Sequence, residues 1–422
     1  MTTEVFDETK GASSASEQSL GNKLIECPHC GLLQILPPPI SGHSRLCTRC
    51  GNSFGRWAAG ADTALALAIT ALVLFSLAYF SPLMAIDIDG RGQSVRLGSG
   101  IASLFDYRFA PLALLVLVIS VVAPLGRVMT LAYVVFRARQ LKLIPHLSLA
   151  LRVAERLRPW SMLDVFLVGT LIALTKLHDL AQTIVGLGLW ALGLLVATLA
   201  ALEIAIDRQM LWDSLIWVRG DRVMPFSKSV SGCRECGLVQ SSQAQCLRCG
   251  ASLRRRKPNS LQNATALVAA GFILYLPANL YPVITVVSFG HRTTATIMGG
   301  VMQLLDGSDW PLAVIVFTAS VAVPLLKLLG LSWLLLSTRF GIRARLIDRT
   351  RLYRLIELVS RWSTVDILVA ALLTALVTLG NIATIEPGFG ALAFGAVVVV
   401  TMLATACFDP RLMWDAAGAN HV

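Results

Sequence analysis

Cys27-Pro-His-Cys30-Gly31 and Cys47-Thr-Arg-Cys50-Gly51 form the first of two cysteine quartets in this 422-residue chain. The second quartet, Cys233-Arg-Glu-Cys236-Gly237 with Cys246-Leu-Arg-Cys249-Gly250, follows 206 residues after the first. Each quartet precedes a similar series of apolar segments. The chain is therefore interpreted as a duplicated module, in which a small ribbon is followed by a group of membrane spans.

The quartets are predicted to bind metal. Four thiolates suit the tetrahedral geometry of zinc, and a glycine after the second cysteine of each pair allows one tight bend to present two sulfurs. All four positions of each quartet are cysteine, so no position is left open for catalysis. We expect two structural zinc ions per chain, bound by Cys27, Cys30, Cys47 and Cys50 and by Cys233, Cys236, Cys246 and Cys249. Iron in rubredoxin-like sites is the alternative.

The composition predicts an all-α polytopic membrane protein. The chain is 55% hydrophobic and only 14% charged, with a mean hydropathy of +0.68, whereas a soluble domain has about 25% charged residues. Long uncharged stretches are typical of membrane spans. Eight spans are predicted, at residues 58–80, 109–136, 161–176, 183–206, 263–281, 311–338, 364–379 and 388–407.

The distribution of basic residues predicts the orientation. Loops 137–160, 207–262 and 339–363 hold 6, 10 and 7 Lys and Arg residues, whereas the opposite loops 81–108 and 282–310 hold 3 and 1. The positive-inside rule then places both termini and both quartets in the cytoplasm, where thiols stay reduced. The net charge of +11 is explained in this way without nucleic acid as a partner.

The repeat extends through spans and loops, as the pairs Pro82 and Pro282 or Asp164 and Asp366 illustrate. An even number of spans in each half makes it a parallel repeat. Alternating residues around glycines predict a periplasmic β-hairpin after the first span of each half. The predicted organisation is a disordered terminus at 1–23, ribbons at 24–56 and 228–256, and four-helix transmembrane modules at 57–210 and 257–415.

Charged residues inside the spans form the other candidate site. Arg127 and Lys327 lie within spans two and six, and Asp164 and Asp366 within spans three and seven. Because an isolated charge in the bilayer is costly, we expect the pairs Arg127–Asp164 and Lys327–Asp366. Thr401 and Ser320 are expected to complete a polar cluster with Lys327. Glu203 is a weaker candidate.

Two interpretations of these charges remain open. The pairs could pin neighbouring helices together, or they could form a polar site that faces a cavity. In the second case Lys327 is the better proton-linked switch, because Lys loses its proton far more readily than Arg. The sequence contains no phosphate-binding loop and no nucleophile–base arrangement, and we expect no enzymatic activity.

Several motifs together resemble the paraquat-inducible protein A family. They are the doubled cysteine quartets, the exits Ser81-Pro82-Leu83 and Tyr281-Pro282, the pair Trp160-Ser-Met-Leu-Asp164 and Trp362-Ser-Thr-Val-Asp366, and Phe408-Asp-Pro-Arg411. The first half departs from the last motif, with Asp207-Arg-Gln in place of Asp409-Pro-Arg.

The resemblance implies a function that composition and spacing do not show. It implies a multi-pass protein of the bacterial inner membrane that partners a periplasmic MCE-domain tunnel carrying phospholipids between the two membranes. Two other classes stay open from the residues alone. A redox membrane protein would use the quartets as iron sites, and a small-solute transporter would need a polar pathway but no periplasmic partner.

Overall fold

The computed structural model describes most of the chain in segments. These are residues 23–36, 45–54, 60–88, 91–106, 109–140, 146–178, 182–206, 208–214, 230–241, 243–288, 291–306, 310–365, 367–369 and 383–418. Nearly all of the predicted disordered terminus, most of the predicted seventh span and Asp366 lie outside these residues.

The first half begins with a cysteine-containing ribbon and continues as apolar helices with a small sheet. Its strands are β1 (Lys23–Glu26), β2 (Leu33–Leu36), β3 (Met84–Ile88), β4 (Arg91–Val95) and β5 (Gln182–Val185). Its helices are α1 (Ala61–Phe80), α2 (Ser99–Asp106), α3 (Ala110–Leu117, then a π-helical turn at Val118–Val122, then Ala123–Arg139), α4 (Leu147–Leu157), α5 (Leu163–His178), α6 (Leu187–Ala205) and α7 (Arg208–Ser214).

The second half repeats this order of elements. Its strands are β6 (Val230–Gly232), β7 (Val239–Ser241), β8 (Ile284–Ser288), β9 (His291–Ala295) and β10 (Ala383–Pro387). Its helices are α8 (Ser260–Leu280), α9 (Ile297–Asp306), α10 (Trp310–Phe317, then a π-helical turn at Thr318–Ala322, then Val323–Arg339), α11 (Leu346–Trp362), α12 (Phe389–Cys407) and α13 (Arg411–Ala416).

Seven segments of the described chain are long and apolar enough to cross a membrane. They are Ala61–Phe80, Ala110–Arg139, Leu147–Leu174, Leu187–Ala205, Ser260–Leu280, Thr318–Arg339 and Phe389–Cys407. The protein is therefore a multi-pass membrane protein. The predicted start of the fourth span at Thr183 is wrong, because residues 182–185 form β5 and the helix begins only at Leu187.

Each predicted hairpin is part of a three-stranded sheet. In the first half β3 lies between β4 and β5, and in the second half β8 lies between β9 and β10. All four pairings are antiparallel. The third strand of each sheet comes from the segment before the last long helix of that half, about 100 residues further along the chain, so local alternation around a turn did not reveal it.

A π-helical turn interrupts the second long helix of each half directly before a proline. The Ala123 N–H bonds to the carbonyl of Val118, and the Val323 N–H to that of Thr318, each five residues back. Pro124 and Pro324 follow, and each lacks an N–H and disfavours a normal helical turn before it. The prolines are thus accommodated by a widened turn rather than by a break in the helix.

The sheets and the ribbons lie at opposite ends of the helices. Asp62, at the start of α1, pairs with Arg139, at the end of α3, at 2.7 Å. The other end of α1 leads directly into β3. We call these the ribbon end and the sheet end.

Each ribbon packs against the half of the protein that does not follow it in the chain. Ribbon 1 (residues 23–54) shares a buried cluster with α8, α10, α11 and α13 of the second half. Ribbon 2 (residues 230–253) shares one with α3, α4 and α7 of the first half. The two halves are therefore interlocked at the ribbon end.

Glycines allow the last long helix of each half to begin in close contact with the proline-containing segment that follows the first long helix of that half. The Gly186 N–H bonds to the Leu83 carbonyl at 3.0 Å, and the Gly188 N–H to the Pro82 carbonyl at 2.8 Å. A Cβ at Gly186 would lie 2.1 Å from the Pro82 oxygen. Gly388 makes the equivalent approach to Pro282, where a Cβ would lie at 2.2 Å. This contact therefore requires glycine in both halves.

We predict that Gly186→Ala destabilises the protein more than Gly193→Ala does. The first Cβ would collide with backbone, whereas nothing lies within 4 Å of a Cβ at Gly193. Overpacking of this kind costs about 1–3 kcal/mol or more. Thermal unfolding of the detergent-purified protein measures the difference, and equal midpoints for the two variants would contradict the close approach.

Candidate functional site

The two cysteine quartets are assembled as the sequence predicts. In ribbon 1 the sulfurs of Cys27 and Cys50, and those of Cys30 and Cys47, lie 3.6 Å apart. In ribbon 2 the corresponding distances are 3.6 Å and 3.5 Å. These distances are far longer than the ~2.05 Å of a disulfide and close to the ~3.8 Å edge of a tetrahedron with metal–sulfur bonds of ~2.3 Å. Each quartet can therefore hold one metal ion.

A tight turn with a left-handed glycine forms each Cys-x-x-Cys pair. The glycines after the pairs, Gly31, Gly51, Gly237 and Gly250, have φ angles between 67° and 74°. In the first turn the Gly31 N–H donates to the Cys27 carbonyl at 2.9 Å, and the same bond closes the other three. Because a left-handed residue favours glycine, the Cys-x-x-Cys-Gly pattern itself predicts this geometry.

A cationic side chain lies beside one sulfur of ribbon 1. Hydrogen bonds from the Cys27 and Cys30 thiols lower the pKa of Cys50. The Arg354 guanidinium of α11 donates to the Cys50 sulfur at 3.2 Å and to its carbonyl at 3.1 Å. Burial, with Arg354 as the next cause, lowers the pKa of His29 to about 4. His29 is therefore neutral near pH 7, and its ring packs edge-on against Tyr353.

Ribbon 1 is held on the second half by buried polar contacts. Arg411 of α13 donates to the Pro28 carbonyl at 3.2 Å and to the Glu26 carboxylate at 2.8 Å. Arg49 lies over the ring of Trp414, with its guanidinium carbon 5.3 Å from the centroid. The motif Phe408-Asp-Pro-Arg411 thus forms part of the surface on which ribbon 1 packs.

Two buried carboxylates also connect the ribbons to one another and to the second half. Glu26 accepts the Gly232 N–H of ribbon 2 at 2.6 Å and lies 3.4 Å from the Arg256 guanidinium. Asp409, only 2% exposed, pairs with Arg234 of ribbon 2. The sequence analysis missed these links. Asp409 stands in a motif that could have indicated it, but Glu26 has no counterpart in the repeat.

Arg127 pairs with Glu203 of α6, which the sequence analysis treated as a weaker candidate. Arg158 also approaches Glu203, at 3.3 Å. The predicted contact of Arg127 with Asp164 stays a prediction. Glu203 had a signal in the sequence, because an acid near the end of an apolar helix needs a partner, but its repeat counterpart Thr405 is uncharged.

Lys327 is almost completely buried in the second half. Its side chain is among the most buried polar groups, at 2% exposure, and Nζ donates to the Thr401 hydroxyl of α12 at 3.1 Å. The Thr401 hydroxyl in turn donates to the Val398 carbonyl at 3.0 Å. Ser320 is also buried and lies on the π-helical turn of α10. The predicted partner Asp366 lies outside the described residues.

The second long helix of each half is longer than the hydrocarbon core is thick. The 30 residues of α3 span about 45 Å at ~1.5 Å per residue, whereas the hydrocarbon core is ~30 Å thick. About ten residues therefore extend beyond the membrane, and α10 has the same length. Arg127 precedes the end of α3 by 12 residues, but its guanidinium reaches Glu203, two residues before the end of α6, so this charged group lies near the ribbon-end edge of the membrane helices.

Comparison with known proteins matches this chain to one protein family. The family model described as paraquat-inducible protein A matches residues 61–216 and residues 261–418. Intermembrane transport protein PqiA of Escherichia coli is 32% identical over 93% of this chain and 96% of its own length. Lipophilic envelope-spanning tunnel protein A of the same organism is 33% identical over 92% of this chain and 91% of its own.

A more distant relative is the probable intermembrane transport protein of Haemophilus influenzae, which is 27% identical over 93% of this chain and 96% of its own length. No solved structure matches the chain.

We predict that Cys246→Ser removes one of two metal ions and lowers the stability of the protein. The expected cause is the loss of one thiolate from a closed four-thiolate site, since such metals contribute directly to folding. Elemental analysis of purified protein measures metal per chain, and Cys407→Ser is the matched control because Cys407 stands outside both quartets. Unchanged metal content in Cys246→Ser would contradict the assignment.

Proposed function

Because the chain belongs to the paraquat-inducible protein A family, we propose that it is an inner-membrane component of an intermembrane lipid transport system. In this role it loads phospholipid into, or receives it from, a periplasmic MCE-domain tunnel. The observation that carries the proposal is the 33% identity, over 92% of the chain, to a protein named for an envelope-spanning tunnel. Its relatives are named as transport proteins, and no catalytic role is proposed.

The proposed arrangement has eight spans in two four-helix modules, at residues 57–210 and 257–415, with both termini in the cytoplasm. Seven apolar segments of the described chain and the excess of Lys and Arg in alternate loops support it. The ribbons, at residues 24–56 and 228–256, then lie in the cytosol and the sheets in the periplasm. Zinc is the proposed metal in both ribbons, since closed four-thiolate sites favour it.

The sheet end is the proposed docking surface for the tunnel. Large apolar side chains are exposed there, including Ile184 on β5 (60%), Leu187 at the start of α6 (61%) and Phe389 at the start of α12 (56%). The edge strands β4 and β9 are available for further pairing. A periplasmic partner could therefore cover apolar surface from both halves.

The proposed polar site that changes its protonation consists of Lys327, Thr401, Ser320 and Asp366. Its proposed counterpart in the first half, which keeps a fixed charge, consists of Arg127 and Asp164. The supporting observation is the burial of Lys327 at 2% exposure against a 3.1 Å contact with Thr401. A buried ammonium can become a neutral amine, whereas a guanidinium effectively cannot. Of the two basic residues, only Lys327 can therefore become neutral during a transport cycle.

We predict that a photocrosslinker at Ile184 or Thr293 captures a periplasmic MCE-domain protein in living cells. Both residues are exposed at the sheet end. A crosslinker at the exposed Arg254 of the ribbon end is the matched control and should not capture it. Capture from Arg254 alone would reverse the proposed orientation.

We predict that Lys327→Ala and Lys327→Arg both abolish lipid transfer while the protein stays in the membrane. Alanine removes the ammonium, and arginine keeps the charge but cannot release the proton. Phospholipid recovered with the MCE-domain partner measures transfer, and membrane abundance is the control. If Lys327→Arg transferred lipid normally, a fixed positive charge would suffice and the proton-linked version would be wrong.

A further inference from the structure

A cavity of about 480 Å³ lies between the two ribbons and the ribbon end of the first half. Its charged lining comes largely from the first half, with Arg127 on α3, Glu203 on α6, Glu155 on α4, Arg158 and Arg208. Its volume is within the range of small-molecule sites, about 300–1,000 Å³. The position of Arg127 near the edge of the hydrocarbon places the cavity at the level of lipid headgroups.

The lining has more hydrogen-bond donors than acceptors. The single carboxylate of Glu203 serves both Arg127 and Arg158, and Glu155 pairs with Arg208 at 3.2 Å. The whole lining holds five guanidinium groups and four carboxylates, because Arg234, Arg411, Glu26 and Glu235 also line the cavity. Each guanidinium has five N–H donors. The Trp212 Nε1, in a side chain that is 1% exposed, also lacks a hydrogen-bond partner among the described residues. The cavity is therefore suited to a ligand that supplies acceptors and negative charge.

The duplicate position in the second half is filled by aromatic side chains. Leu151 and Ile206, which line the cavity, correspond in the repeat to Tyr353 and Phe408. The rings of this aromatic pair lie 5.7 Å apart, and the Tyr353 hydroxyl donates to the Thr405 carbonyl at 3.3 Å. At this position the second half therefore has packed aromatic rings where the first half has the aliphatic side chains of Leu151 and Ile206.

Three of the charges in the lining are also specific to the first half. Arg158, Glu203 and Arg208 are replaced in the repeat by Ser360, Thr405 and Pro410. Trp212 and its counterpart Trp414 are both buried, but the Trp414 Nε1 donates to the Thr350 hydroxyl at 3.2 Å. An open cavity, surplus donors and an unsatisfied indole therefore occur together in one half.

From these observations we propose that the cavity binds a phosphate ester through Arg158 and Arg127, with Glu203 orienting the two guanidinium groups. Paired arginines match the oxygens of a phosphate group, and bonds between two charged groups are about twice as strong as neutral ones. The same chemistry would come from a phospholipid headgroup or from a soluble phosphate compound. The proposal does not depend on the transport role.

The test uses the full-length protein purified in detergent. Native mass spectrometry measures retained phospholipid, and thermal unfolding compares phosphate with chloride buffer at equal ionic strength. Arg158→Gln removes one guanidinium, and Leu151→Tyr fills the cavity with the residue of the second half while leaving all the charges in place. Arg254→Gln is the control, because Arg254 is exposed and does not line the cavity.

We expect both cavity variants to lower phosphate-ester binding by about tenfold or more, as the loss of a charged hydrogen bond implies, and the control to bind normally. Retained lipid that disappears in the variants identifies a headgroup as the source. A phosphate-dependent stabilisation without retained lipid identifies a soluble compound. Failure of the wild-type protein to show either response, or an equal loss in Arg254→Gln, overturns the proposal.

A measurement on the wild-type protein covers the case in which the variants do not fold. Arginine-specific labelling with phenylglyoxal, followed by peptide mapping, should show Arg158 protected in the presence of inorganic phosphate and Arg254 labelled equally with or without it. Equal labelling of Arg158 in both buffers contradicts phosphate binding at this position.

Discussion

The buried ionic contacts of Glu26 and Asp409 hold the ribbon end of this protein together. The Glu26 side chain is 8% exposed and the Asp409 side chain 2%. Each carboxylate is fully supplied with donors from a different part of the chain, and removal of one partner from such a buried pair costs about 3–5 kcal/mol. These two side chains connect ribbon 1, ribbon 2 and the second half.

The interlocked ribbons couple metal binding to the membrane helices. Each ribbon has its own cysteine quartet but packs against the half that does not follow it in the chain, through contacts such as Arg354 with Cys50 and Arg208 with the Glu235 carbonyl. Loss of metal from one ribbon would therefore loosen the contact between the two halves as well as the ribbon itself. This is a physical reason for the protein to have a four-cysteine group in each ribbon.

The duplicated halves keep one backbone and differ in their polar chemistry. Both have the glycine approach to the proline exit, the π-helical turn and the three-stranded sheet. They differ around the basic residue of the second long helix. In the first half Arg127 pairs with the partly exposed Glu203 beside an open cavity. In the second half Lys327 is buried and donates a hydrogen bond to Thr401. The halves therefore share one scaffold but differ in the groups that surround the basic residue of the second long helix.

The sequence by itself determined the features that depend on local pattern or composition. Cys-x-x-Cys-Gly spacing predicted both quartets because the left-handed glycine and the four sulfurs are a local geometric requirement, and apolar length predicted the seven described membrane helices. Only the tertiary structure decided which distant segments meet. The third strand of each sheet, the packing of each ribbon on the other half, the partner of Arg127 and the open cavity all depend on contacts between distant residues. Arg127 and Glu203 are 76 residues apart, and Glu26 and Arg411 are 385 residues apart. These contacts join separate elements rather than residues of one turn or one helix, so no local periodicity in the sequence records them.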